Sequence, residues 1–424
     1  MARKMKDSGI EWIGEIPEGW SIARGKHILT LLQRAVFPTD GVITCFRDGE
    51  VTLRSNRRED GFTVSLKEIG YQGIEPGDLV VHGMDGFAGS IGISDSRGKS
   101  SPVLVVLDSS QDKKYLMYYL RSMAYNNVFL ALSTGIRVRS CDLKWNKLAD
   151  LLYLVPPIVE QHKLVSFLDE KCSEIDAMLS KTRASIEEYK KLKQAVITQA
   201  VTKGVRGERE MKDSGNPWFG QIPADWKLTR VGLHFSIILG KMLCNAPPND
   251  TYTLEPYYCA ADVHFDGVAD GERKKMWFSP IEKDLYRVSV GDLLVVEGGA
   301  GAGGSAIVEN QDSDTYIQNS IMIVRSKGNA DNRYLRYLLE FLIKQGYIDI
   351  VCNKATIPHF TKDKLSCVPF CLCPTGEQKE IAAYLDAKCA EIDKLIAKKE
   401  QLVKELESYR KSLIYEVVTG KREV

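Results

Sequence analysis

"MKDSGIEWIGEIPEGW" at residues 5–20 returns as "MKDSGNPWFGQIPADW" at residues 211–226, with the Trp, Gly, Ile-Pro and closing Trp in the same places. A second pair follows, "EQHKLVSFLDEKCSEID" from Glu160 and "EQKEIAAYLDAKCAEID" from Glu377. The first pair is offset by 206 residues (211 − 5) and the second by 217 (377 − 160), so the later copy is 11 residues longer. Between these anchors the copies agree only in outline, as "IEPGDLVVHGMDGFAGSIGIS" against "VSVGDLLVVEGGAGAGGSAIVE" and "KKYLMYYLRSM" against "NRYLRYLLEFL". The architecture is duplicated and its content has diverged.

Each divergent stretch holds short β-type runs such as "GDLVVHG" and "SPVLVVLD" punctuated by Gly and Pro, then a Tyr/Leu-rich helical stretch, then "LLYLVPP" or "CVPFCLCP". That pattern predicts α+β domains. No proline lies between Pro157 and Pro217 or after Pro374, which leaves both shared segments free to form long helices. Ile175, Leu179, Thr182, Ile186, Tyr189 and Val196 keep one apolar stripe, and Ile392, Ile396, Val403, Leu406 and Leu413 keep the matching one. The stretch Ile175–Thr202, 28 residues (202 − 175 + 1), predicts a helix of about 42 Å. Two such helices bury their stripes against each other as a coiled-coil-like pair. The first unit passes from "QAVTKGVRGERE" into the next "MKDSG", whereas the second stops at "EVVTGKREV" where a third would be due. Chain end and chain start are consecutive points on a closed pattern, which implies a pseudo-twofold order of domain, helix, domain, helix with the termini near each other. The expected division is 1–157, a first β-rich domain; 158–205, a central helical region; 206–374, a second β-rich domain; and 375–424, a C-terminal helical region.

With 424 residues, two or three domains are expected, and 44% hydrophobic residues suffice for a core in each. Charge balances at 57 Lys+Arg against 56 Asp+Glu, so any basic surface is local. No apolar run approaches the roughly 20 residues that span a bilayer, and a cytoplasmic location is expected. Ten scattered cysteines predict reduced thiols rather than a disulfide framework. The dense group Cys367, Cys371 and Cys373, with His359 nearby, lacks a C-x-x-C pair and reads as strand burial rather than a zinc site.

"GGAGAGG" satisfies G-x-G-x-x-G at Gly299, Gly301 and Gly304, but strand-like "SAIVEN" follows where a dinucleotide loop needs a helix, so a Gly-rich hairpin is expected. The chain has no G-x-x-x-x-G-K-[ST] loop, H-E-x-x-H or G-x-S-x-G motif. Its His and carboxylates show no catalytic spacing. Basic residues do gather in the divergent parts: Arg54, Asn56, Arg57 and Arg58 in "LRSNRRED"; Arg137 and Arg139 in "GIRVRS"; Arg273, Lys274 and Lys275 in "ERKKMW"; Lys354 and His359 in "NKATIPHF". These are the candidates for contacts with phosphates and base edges.

The duplicated motifs "SGxxWxGxIPxxW" and "EQxxxxxxLDxKCxEID", the divergent halves and the two similar helical segments together resemble the specificity subunit of type I restriction-modification systems. The resemblance spans essentially the whole chain. It implies a non-catalytic reader of double-stranded DNA, with 1–157 and 206–374 as target recognition domains of twisted β-sheet and helices, alternating with two long helices paired as an antiparallel coiled coil. It also implies an asymmetric bipartite target, because the halves differ. The implied partners are modification subunits, which bring S-adenosylmethionine and methylate adenine, and restriction subunits, which bring ATP- and Mg-dependent translocation and cleavage. No cofactor is expected in this chain. The competing readings are a protein-interaction scaffold, which would lack salt-sensitive DNA affinity, and a self-contained methyltransferase or nuclease, which would need an N/D-P-P-Y-type tetrapeptide that "NAPPND" near Asn245 is not.

Overall fold

The computed structural model describes residues 3–57, 68–131, 143–310, 314–352 and 358–424. The chain divides into two compact units, Met1–Arg183 with Glu400–Val424, and Ala184–Lys399.

In the first unit the principal strands are β1 (Leu29–Leu31), β2 (Ile43–Cys45), β3 (Val51–Leu53), β4 (Leu79–His82), β5 (Ile91–Ile93) and β6 (Leu104–Ser109). "LVV" and "VLVVL" are apolar without a break because β4 and β6 are the central strands of an antiparallel sheet ordered β1-β6-β4-β5 and covered on both faces. Side chains alternate between the faces. Leu79, Val81, Ile91 and Leu107 pack toward helix α1 (Lys113–Tyr125), while Val80, Leu104 and Val106 pack with Ile43, Cys45 and Val51 of the β2–β3 hairpin. Each aliphatic side chain buried in this way contributes about 1.5–3 kcal/mol. Helix α1 starts where Asp112 caps it, accepting from the N–H groups of Lys114 (2.8 Å) and Tyr115 (3.2 Å). The prolines at 156 and 157 precede helix α2 (Ile158–Lys203, 46 residues).

The second unit repeats the plan with β7 (Phe235–Leu239), β8 (Thr253–Tyr258), β9 (Lys274–Phe278), β10 (Leu293–Val296), β11 (Ser305–Ile307) and β12 (Ile321–Ser326), its sheet ordered β7-β12-β10-β11. Leu293, Val295, Met322 and Val324 face helix α3 (Asn332–Lys344), and Leu294, Val296, Ile321 and Ile323 face the opposite layer. Asp331 caps α3 as Asp112 caps α1. "GGAGAGG" is the turn between β10 and β11, with Gly299 and Gly303 at positive φ. Cys371 lies buried in a strand, Pro369–Leu372, and Cys367 is exposed. Helix α4 is Thr375–Val418, 44 residues. The first long helix runs well beyond the Ile175–Thr202 stretch, since "EQHKLVSFLDEKC" carries its own buried stripe, Leu164, Leu168 and Cys172.

The second repeated motif is legible residue by residue. Gln161 accepts from the Asp112 N–H (2.9 Å) and donates to the Pro156 carbonyl (2.8 Å), and Gln378 does the same with Asp331 and Cys373. Asp169 accepts from the Tyr118 hydroxyl and Asp386 from that of Tyr337, each at 2.8 Å. Both "EQ" and "LD" therefore fasten a β-rich region to the start of a long helix. The two helices run antiparallel in each unit. In the first, Asp176 pairs with Arg410 (3.0 Å) and Arg183 with Glu407 (2.6 Å). In the second, Lys193 pairs with Asp393 (2.7 Å) and Lys399 lies over the Tyr189 ring. Adding 217 turns Asp176 into Asp393 and Lys193 into Arg410, so one ion pair recurs with the helices exchanged.

Of the stripe residues chosen from periodicity, Ile175, Leu179, Ile186, Ile392 and Leu413 are buried and Tyr189, Val196, Ile396, Val403 and Leu406 are half-buried. The first repeated motif supplies Ile16 and Trp20, which pack in the first unit with Leu413, Ile414, Val417 and Val418 of α4. In the second unit Ile222 and Trp226 pack with Ile197, Ala200 and Val201 of α2. The chain's last turn thus closes on its first motif. Gly420, at φ +71°, permits the approach, since a Cβ there would sit 2.4 Å from Pro17.

Candidate nucleic-acid interface

In the first unit the β2–β3 hairpin turns through Phe46–Glu50 and leads into a single helical turn, Arg54–Asn56. The turn is held from beneath by Arg121 of α1, a buried guanidinium that donates to the carbonyls of Gly49 (2.8 Å) and Ile91 (2.7 Å). Gly49 stands at φ +90°, and a Cβ there would meet Arg121 at 1.7 Å, so only glycine serves. At the matching position of α3 the second unit has Glu340, also buried, 3.3 Å from Arg336, its carboxyl pushed up by burial. The same helix site carries opposite charges in the two units, which separates their local chemistry.

Hairpin and sheet enclose a cleft of about 680 Å³, lined by Thr44, Arg47, Arg54, Arg57, Tyr71 and His82 among others. The arginines are already engaged. Arg57 lies over the Phe46 ring (4.2 Å) and pairs with Asp48 (2.7 Å) and Glu50 (3.1 Å). Arg54 donates to the Thr44 hydroxyl (3.3 Å), Arg47 pairs with Asp85 (3.2 Å), and the Asn56 amide donates to Thr52 (2.8 Å). Arg58, Arg137, Arg139 and Lys354 lie outside the described residues.

In the second unit Arg273 turns inward, stacked on Tyr258 (4.7 Å), 3.3 Å from Asp262 and donating to the Ala269 carbonyl. Its neighbours differ. Lys274 and Lys275, on β9 opposite Tyr257 and Pro256, are exposed and make no ion pair among the described residues. His359 is exposed, and its carbonyl accepts from Lys364 (2.7 Å). Lys241, absent from the sequence candidates, pairs with Glu282 (2.5 Å) and faces the Phe278 and Tyr252 rings.

His82 and Tyr71 were also outside the sequence candidates. His82 ends β4, and its Nδ1 accepts from the N–H groups of Met84 (3.3 Å) and Asp85 (3.0 Å). Burial pulls the imidazole below its ordinary range, against the pull of Asp85. The available signal was a histidine breaking an apolar run just before Gly83, at the end of a central strand.

The family model of the type I restriction modification DNA specificity domain matches residues 278–405. The MjaX type I restriction enzyme specificity subunit of Methanocaldococcus jannaschii is 25% identical over 437 residues, covering 96% of this chain and 95% of that one. Among solved structures, one describing complex assembly and conformational transition of a type I R-M system contains a chain with a TM-score of 0.73 at 17% identity, covering 96% of this chain and 99% of the other. The HsdS subunit from Thermoanaerobacter tengcongensis gives a TM-score of 0.53 at 17% identity, with 96% and 98% covered. At such identities the structural likeness speaks for the fold.

Proposed function

We propose that this chain, which resembles the DNA specificity subunits of type I restriction-modification systems along almost its whole length, is the non-catalytic sequence reader of its complex. It reads an asymmetric, bipartite duplex target and directs adenine methylation and restriction that are carried out by partner subunits. Residues 1–157 and 206–374 act as target recognition domains, one for each half-site. Modification subunits supply S-adenosylmethionine, restriction subunits supply the ATP- and Mg-dependent steps, and the complex works in the cytoplasm. The observation that carries this reading is a repeated scaffold with unlike working surfaces. Both units keep one sheet order and one Gln and Asp fastening to a long helix, yet they place different side chains beside the sheet. Identical halves would read a palindrome, whereas unlike halves read two different sequences.

Sequencing the methylated adenines of the host with and without this gene tests the proposal. One bipartite motif should disappear with the gene. Purified chain without other subunits should transfer no methyl group, and methyl transfer by it alone would overturn the non-catalytic assignment.

A further inference from the structure

Base edges are read by donors and acceptors that the protein has not already paired with itself. Applied to the first unit's cleft, that criterion passes over the arginines. Arg57 answers to two carboxylates and a ring, Arg47 to Asp85, and Arg54 to Thr44. His82 and Tyr71 are among the polar side chains of the same cleft that remain, for neither the Nε2 of His82 nor the hydroxyl of Tyr71 has a hydrogen-bond partner among the described residues.

The state of His82 follows from its neighbours. A backbone N–H can only donate, so the Nδ1 that receives two of them holds a lone pair, and the ring proton resides on Nε2. Those same two bonds fix the ring on the turn after β4. His82 is thus a single N–H donor held in place before DNA arrives. Arg47 and Asp85, the charged groups around it, are paired with each other at 3.2 Å. In the second unit the last residue of β10, the strand that matches β4, is Val296, which is fully buried, so the device belongs to one half of the chain.

Resting on the reading of the chain as a DNA specificity subunit, we propose that His82 and Tyr71 are specificity-determining residues of the first recognition domain, donating hydrogen bonds to acceptors on a base edge in the major groove. Guanine, whose O6 and N7 present two adjacent acceptors, is the base this pair of donors suits. The arginines around them hold the hairpin and set its field.

The test uses the full chain co-expressed with its modification subunits, read by the methylated motif in cells and by binding of the purified complex to a duplex carrying that motif. His82→Ala and Tyr71→Phe should each relax one position of one half-site, leave the other half-site unchanged, and lower discrimination at that position by ~10- to 100-fold. His82→Gln, which places an amide N–H near the position of Nε2, should keep more of the discrimination than His82→Ala. Tyr71→Phe removes one oxygen and keeps the ring, so it reports even if His82→Ala fails to assemble. Weakening that is uniform across all sequences would make these residues phosphate contacts and overturn the inference, as would motifs unchanged in all three variants. If the unaltered complex shows no sequence preference at all, the reading of the chain as a specificity subunit fails instead.

Discussion

Each unit contains the same three-residue clamp at the start of a long helix, and the two copies differ in burial by enough to predict unequal consequences. In the second unit Glu377, 0% exposed in the first turn of α4, receives Arg209 at 2.6 Å and the Trp226 Nε1–H at 3.3 Å, with the guanidinium lying over that indole at 5.2 Å. In the first unit Arg3 and Glu160 keep 28% and 25% of their side chains exposed, and the Trp20 Nε1 has no hydrogen-bond partner among the described residues. Glu377→Gln preserves shape while removing the nearer, buried counter-ion of Arg209, itself 19% exposed, and leaving it only the exposed Asp225 at 3.9 Å. Breaking one side of a buried pair costs about 3–5 kcal/mol, whereas a partly exposed pair contributes about 1 kcal/mol or less. The second unit spans 216 residues (399 − 184 + 1), a size at which each kcal/mol moves the midpoint by about 2–4 °C. A loss of about 3 kcal/mol should therefore lower that unit's melting by roughly 6–12 °C, against about 2–4 °C or less in the first unit for Glu160→Gln. Calorimetry measures the midpoints, and hydrogen exchange around Trp226 and around Trp20 assigns them to the units. Equal losses from Glu160→Gln and Glu377→Gln would refute the argument from burial.

Inserting four residues after Arg183 and four before Glu400, where both helices pass from one compact unit to the other, lengthens each by about 6 Å. The methylated motif of an assembled variant should keep both half-sites and gain one or two base pairs of spacer, at about 3.4 Å per pair; an unchanged spacer would show that the helices do not set the distance. Reversing Lys274 and Lys275 to Glu should weaken binding by the complex and flatten its dependence on salt, while Arg57→Glu should change the slope less because Asp48 and Glu50 already neutralise that charge. Titration with salt checks both. Buried thiols should resist alkylation in the native protein while the exposed Cys367 reacts first, as peptide mapping would show. Burial pushes Cys45 and Cys373 up to about 12. The stability each contributes is complete below the ordinary thiol range near 9 and is lost as pH rises from there toward 12, which denaturant midpoints across that window would register.

Duplication, helix pairing and closure of the chain on its first motif were legible in the sequence because they depend on order and period along one dimension. The 217-residue offset that aligns "EQ…LD" also aligns Asp176–Arg410 with Lys193–Asp393, and proline-free stretches with an apolar stripe admit few structures other than long helices. The apolar stripe read from periodicity begins at Ile175, and its continuation back to Leu164 rests on contacts with the β-rich region that periodicity alone does not show. Charge clusters were visible as composition, yet whether a cation faces solvent or a carboxylate depends on distances that folding sets. Lys274 and Lys275 stayed exposed, Arg273 turned in to Tyr258 and Asp262, and Arg57 closed on Phe46 and two acids. His82 is not legible in the sequence for the same reason: its fixed N–H donor exists only because the turn after β4 brings two backbone N–H groups onto one ring nitrogen. A hydrogen bond is a matter of a few tenths of an ångström, a quantity that residue order does not contain and tertiary packing alone decides.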